Sequence, residues 1–273
     1  MDPNQIISAG VDTYNALDAD SKHALTYPAA KTLGLAADGL ISIFCYPFLK
    51  ARIFTQERLK QYQKEVADKI NEMPEENRDP SKLGLVVKAI EESRYQLNED
   101  DIREMYVNLI AATLDNRKNE NIGPRFATII AQFSPSDAKF MSLFNHTKKT
   151  PDGYLDSLPI FNIKLCSNDN KHLWYYKRNL MFDEKGSIKA YGDSIDIIKS
   201  FGIVDIIYGS HDEGYENEFS KVEKHVNSNS EYYQRLMKEK NENEDTNYTH
   251  IKIEKGSIKL TSLGRRLMDI IFP

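Results

Sequence analysis

"IKIEKGSIKLTSLGRRLMDII", Ile251–Ile271, closes the chain and decides how its second half folds. Alternating apolar and polar residues over IKI and SIKL predict two short strands, and the Gly256 between them predicts a tight turn. Thr261 or Ser262 then caps a helix whose Leu263, Leu267, Ile270 and Ile271 fall on one side at helical spacing. The expectation is a strand, a Gly-centred turn, a second strand and a packed amphipathic helix. Its hexapeptide EKGSIK occurs once more, at 184–189, again between strand-like runs, so the two copies are expected to share hairpin-turn chemistry.

Working outward, the residues just upstream of that ending are strongly polar. The stretch from about 210 to 248 reads as an insertion, partly helical, with its last part a loop or projecting arm. Before it, IVDIIYG predicts a strand, and 193–201 predicts a short helix carrying Ile195, Ile197, Ile198 and Phe201, closed by Gly202. HLWYYKRNLMF predicts an aromatic-rich strand. Strict alternation would place Trp174, Tyr176 and Arg178 on one side and Tyr175 and Lys177 on the other. Its mixture of aromatic and basic groups suits either single-strand binding or, preferably, a strand with one core face.

The first half has a different texture. Helical periodicity recurs through Leu59, Tyr62, Val66, Ile70 and Met73, through Val86, Val87 and Ile90, and through Ile102, Met105, Tyr106, Leu109 and Ile110. Asn98 is the expected cap of that last helix, with Glu99, Asp100 and Asp101 favourable in its first turn. Pro124 opens another helix carrying Phe126, Ile129 and Ile130. The run SPSD sets Ser134 as cap, Pro135 in the first turn and Asp137 closing a reciprocal capping box. The predicted fold is mainly α: a helical domain over 1–150, five to seven helices, followed by an α/β module over 151–273.

Composition bounds the function. At 273 residues with 40% apolar content, the chain can fill two cores, and its net charge of −5 leaves neither half basic. Bulk attraction to nucleic acid or anionic lipid is therefore disfavoured. Cys45 and Cys166 match no metal or redox spacing, and no basic and hydrophobic leader opens the chain, so the expected location is cytoplasmic. Leu33–Leu49 is nearly uncharged but short for a span and broken by Asp38 and Pro47. A buried helix or self-association segment using Gly34, Ala37 and Gly39 is preferred to a membrane element. The six histidines are scattered, and no His-Glu-x-x-His, phosphate-binding Gly-rich loop or nucleophile elbow occurs. No catalytic, cofactor or metal residue is expected.

Three runs carry a resemblance. YPAAKTLGLAADGLISIF, LNEDDIREMYVNLIAATLDNR and GPRFATIIAQFSPSDAKFM together resemble the Abi-alpha family of bacterial proteins grouped under abortive phage infection. The match lies on Tyr106, Asn108, Leu109, Ile110 and Ala111, on Phe133, Ser134, Pro135, Asp137 and Ala138, and more loosely on LTSLGRRLMDII. These are caps and core positions, so the resemblance implies a role in phage defence and no reaction. The implied partner is a phage or host protein, with self-association a second expectation. The order helix, FGIVDI, strand, turn, strand and helix is also similar to that of winged-helix domains. In that arrangement Lys252, Lys255, Lys259, Arg265 and Arg266 are the candidate nucleic-acid contacts. Asp193 and Asp196 on the helix that would read bases repel phosphates, so that use is disfavoured.

Overall fold

The computed structural model describes residues 55–145, 149–150, 153–154, 157–183, 186–211, 213–226, 230–244 and 246–273. Leu33–Leu49, with Gly34, Ala37 and Gly39, lies outside them. The chain divides into two compact units, Met1–Gln132 and Phe133–Pro273. The helix following SPSD therefore belongs to the second unit, although the change of sequence texture comes near residue 150.

In the first unit, α1 (Gln56–Asn71) is capped by Thr55, whose side chain accepts from the Arg58 N–H. Its expected stripe is the core-facing one: Tyr62, Val66 and Ile70 are fully buried. Pro80 sits in a short 3-10 turn capped by Asp79, and α2 (Leu83–Ser93) follows, burying Val86, Ala89 and Ile90. α3 (Asp100–Thr113) buries Ile102, Met105, Tyr106, Leu109 and Ile110. Its cap position is Glu99 rather than Asn98, and no side chain caps it. Part of that helix start is instead tied down by Arg103, which is buried. Its guanidinium meets Glu65 of α1 at 2.9 Å, Asp100 at 2.6 Å and the Leu97 carbonyl at 3.1 Å. α4 (Arg125–Ala131) is held to α3 by the Tyr106 hydroxyl, which donates to the Ala127 carbonyl at 3.1 Å.

The second unit opens with α5 (Pro135–Asn145) and the predicted box: the Ser134 N–H donates to the Asp137 carboxylate at 2.7 Å, and the Asp137 N–H to Ser134 Oγ at 3.3 Å. A two-residue ribbon pairs β1 (Lys149–Thr150) with β2 (Gly153–Tyr154). Then come β3 (Ser157–Ser167), β4 (Leu173–Phe182), β5 (Ile188–Ala190), α6 (Gly192–Ser200), β6 (Val204–Tyr208), α7 (Glu216–His225), α8 (Glu231–Glu244), β7 (Tyr248–Leu260) and α9 (Ser262–Ile271). The five strands from β3 on make one antiparallel sheet in the order β5-β4-β3-β7-β6.

Two expectations are corrected here. The turn predicted at Gly256 does not exist: Tyr248–Leu260 is a single strand, paired along most of its length with β3 and at its end with β6. The two copies of EKGSIK thus differ. Glu184 and Lys185 lie outside the described residues, but Gly186 adopts φ 75° in the β4–β5 connection, whereas Gly256 sits mid-strand. Second, the last part of the polar insertion is no projecting arm. It is α8, whose Met237 and Leu236 pack on Leu165 and Tyr248 of the sheet. Its many exposed charges conceal a narrow apolar side in the sequence.

One face of the sheet is covered by these inserted helices. Phe161, Ile163 and Leu180 pack there with Phe219 and Val222 of α7, joined by Tyr176, Ile251 and Ile253. By alternation the other face carries Leu158, Ile160, Ile258 and Leu260 at one end, all buried. α9 closes against the start of β6: its Gly264 packs on the Ile203 carbonyl, and its cap is Thr261, which accepts from the Gly264 N–H at 3.0 Å.

Candidate functional site

At its other end that second face turns polar. β3 is the central strand and reads SLPIFNIKLCS, apolar except at Asn162 and Lys164 between its terminal serines, and these two share the face because they are two apart. Both are buried, at 3% and 8% exposure, so each must find partners within the protein. Pairing with β7 supplies them: Asn162 stands opposite Glu254, and Lys164 opposite Lys252. Lys164 Nζ meets Glu254 Oε1 at 2.5 Å, and Asn162 Nδ2 donates to Glu254 Oε2 at 2.8 Å.

β4 adds the third side. Its register with β3 shifts twice, between Phe161 and Ile163 and between Ile163 and Lys164, and Asn179 takes a left-handed φ of 54°. These irregularities overturn strict alternation. Trp174 and Tyr176 face the inserted helices as a pair, but Arg178 does not join them. Its guanidinium lies over the Tyr175 ring, 4.1 Å from the centroid, and Lys164 Nζ lies 4.5 Å from the same centroid. Asn179 donates its backbone N–H to Asn162 Oδ1 at 2.9 Å. The Tyr208 hydroxyl of β6 donates to Asn179 Oδ1 at 2.6 Å, bringing a fourth strand to the cluster. Tyr208 can cross β7 because its partner there is Gly256: a Cβ at that position would come within 2.8 Å of the Tyr208 ring and 2.6 Å of the Ile207 carbonyl oxygen.

The electrostatics follow from this packing. Burial works against both charges of the central pair, yet each keeps its ionised form. Hydrogen bonds from Lys164 and Asn162 outweigh the desolvation of Glu254 and hold its carboxyl below the usual range. Those of Lys164 to Glu254 and Tyr175 likewise lift its ammonium above its ordinary value. Burial, opposed by its bond to Asn162, pushes the Tyr208 phenol up to about 12. The outer members are different. Lys252 and Arg178 are exposed, and among the described residues neither has a carboxylate at ion-pair distance.

The basic residues singled out from sequence are distributed as follows. Lys252 belongs to this cluster. Lys255 points to the opposite face, where it pairs with Glu216 at 2.9 Å and Glu223 at 3.0 Å. Lys259 is exposed on that same opposite side by alternation, across from Asp205, and Arg265 and Arg266 are exposed on α9. The three lysines therefore do not form one patch. Sequence reasoning passed over Asn162, Lys164, Asn179, Tyr208 and Glu254. The available signal was Asn-x-Lys inside an apolar central strand.

Among the described residues no three His, Cys, Asp or Glu side chains converge to hold a metal ion, and no helix is long and apolar enough to cross a membrane. What the fold defines is a helical unit followed by a mixed sheet-and-helix unit with a polar, partly basic cluster on its sheet. The chain belongs to the abortive infection alpha family, whose model matches residues 54–271. A solved protein, the uncharacterized protein from the hydrocarbon-degrading marine bacterium Alcanivorax borkumensis SK2, is similar over 56% of this chain and 99% of its own, at 10% identity and a TM-score of 0.30. That likeness is too low to carry an argument. Comparison with curated proteins finds no match.

Proposed function

We propose that this chain is a phage-defence protein that acts by recognising a phage or host protein, without a reaction of its own. The observation that carries the reading is family membership over residues 54–271. Recognition, rather than chemistry, is supported by what the polar cluster is made of. Its buried groups are spent on one another, with Glu254 held by Lys164 and Asn162, which leaves no poised nucleophile or general base in the cluster. Within this reading the protein works in the cytoplasm, and Gly34, Ala37 and Gly39 serve self-association.

The same proposal takes α6, β6, β7 and α9 as a winged-helix-like core. Its two wing strands would be β6 and the end of β7, paired antiparallel from Val204–Leu260 to Tyr208–Gly256, with α7 and α8 inserted between them. The test of defence is plating of a diverse phage panel on cells with and without the intact gene. Reduced plaque numbers, or death of infected cells before phage release, are expected. Unchanged plaques and unchanged survival across the panel would overturn the proposal. Affinity capture from infected cells should then recover one specific protein that is missing from uninfected controls.

A further inference from the structure

The row Lys252, Lys164, Tyr175, Arg178 crosses three adjacent strands on one sheet face: Lys252 opposes Lys164, Lys164 opposes Tyr175, and Arg178 stacks on Tyr175. Like charges directly opposite one another on neighbouring strands are unfavourable. A purely structural ion pair would need only Lys164 and Glu254. Here one carboxylate pairs with Lys164 alone, and the two outer cations of the row, both in solvent, have no acid at ion-pair distance among the described residues. Neighbouring strands lie about 4.8 Å apart, so the row spans roughly 10 Å between the backbones of Lys252 and Tyr175. The excess charge is local, in a chain whose net charge is −5.

We infer that this sheet face binds single-stranded nucleic acid, with Lys252 and Arg178 contacting phosphates and the Tyr175–Arg178 stack offering a flat surface to a base. The chemistry fits on both counts. Phosphate contacts need exposed, uncompensated cations, and unstacked bases settle on aromatic rings or guanidinium planes. A duplex is a poor match, because its bases are read by an element entering a groove, and this row lies along the plane of a sheet. Such binding depends on the geometry of the row alone and holds whether or not the protein defends against phage.

The test is fluorescence anisotropy on the full chain at low salt, with a labelled oligodeoxythymidine of about 12 nucleotides, within the span of known sheet-borne sites. Arg178→Glu with Lys252→Glu is expected to weaken binding about tenfold or more, and to lower the salt slope by about 1.4, at roughly 0.7 for each phosphate no longer neutralised. Lys259→Glu, the same charge reversal on the opposite face, should leave affinity within about twofold. A duplex of equal length should bind more weakly than the single strand. No binding by the wild type, equal weakening in Lys259→Glu, or unchanged binding by the double variant would overturn the inference, as would a duplex that binds as tightly. Trp174 fluorescence checks folding of each variant. Should the double reversal unfold, the single changes Arg178→Gln and Lys252→Gln replace it, and each must lower the slope by about 0.7.

Discussion

Alanine at the glycine of each EKGSIK copy is predicted to destabilise for two different reasons, and asparagine tells them apart. At Gly256 the backbone needs no left-handed conformation, but a Cβ would stand 2.6 Å from the Ile207 carbonyl oxygen, 2.8 Å from Tyr208 Cδ1 and 3.3 Å from Ile160 Cγ2. Side-chain Cβ atoms keep at least 3.0 Å, so the Ile207 carbonyl must withdraw by 0.4 Å, from 2.6 to 3.0. Ile207 lies on the β6 strand paired with β7, so the displacement loosens a ladder hydrogen bond worth about 1 kcal/mol. Overpacking adds about 2 kcal/mol, and the lower chain entropy of alanine returns about 0.7. The net loss is about 2 kcal/mol.

At Gly186 nothing lies within 4 Å of the added Cβ, but φ is 75°. The cost there is that of holding an L-residue in the left-handed region, about 1.7 kcal/mol, from which the lower chain entropy of alanine again returns about 0.7, a net loss of about 1 kcal/mol. Both positions lie in the unit that contains Trp174, the chain's single tryptophan, so its fluorescence during urea unfolding reports both. With a slope of about 2 kcal/mol per molar, the midpoint should fall by about 1 M for Gly256→Ala and about 0.5 M for Gly186→Ala. Asparagine tolerates the left-handed region, so Gly186→Asn should recover most of the loss, whereas Gly256→Asn should be worse than alanine. Recovery by asparagine at 256, or none at 186, would refute the reasoning.

The remaining predictions concern buried charge. Glu65→Ala leaves the buried Arg103 guanidinium without two of its bonds, at 2.9 and 3.2 Å, and should cost the first unit about 2 kcal/mol, read by far-UV circular dichroism during urea unfolding. The Glu254 carboxyl is held below its ordinary 4.5 in the folded protein, so its stabilisation is complete above that value and is lost as pH falls through the lower folded one. Glu254→Gln should therefore be less stable than wild type near neutrality and show a shallower loss of stability below pH 4.5. An acid limb equally steep in both proteins would remove Glu254 from that transition.

Much of the helical architecture is legible without coordinates, because the signals that encode it act within a turn or two of chain. The stripe Tyr62, Val66, Ile70 repeats at four residues and is wholly buried, and the Ser134–Asp137 box forms between residues three apart. The Thr261 cap is equally local, and so is the left-handed Gly202 closing α6. Glu99 at the cap position in place of Asn98 marks the limit of such reading: no side chain caps α3, and its start is held by Arg103, which reaches the Leu97 carbonyl and Glu65 of another helix. α8 was hidden for a related reason: only a few of its side chains are apolar, and their value lies in the sheet they cover.

The polar cluster was decided by tertiary structure. Lys164 and Glu254 are 90 residues apart in sequence, and nothing near either names the other. Their meeting depends on the β3–β7 register, and a slip of one residue between the strands would leave the two side chains on different faces of the sheet. The same holds for Lys252 and Lys255, three residues apart in one strand and so on opposite sides of the sheet, one facing Lys164 and the other paired with acids of α7. EKGSIK shows the reason most directly: with a strand available for pairing on each side, the second copy stays extended, while the first turns at Gly186 beside a strand of only three residues. Caps and periodicity act locally and can be read from the chain; strand pairing, register and the charges they gather depend on distant partners that only the folded structure supplies.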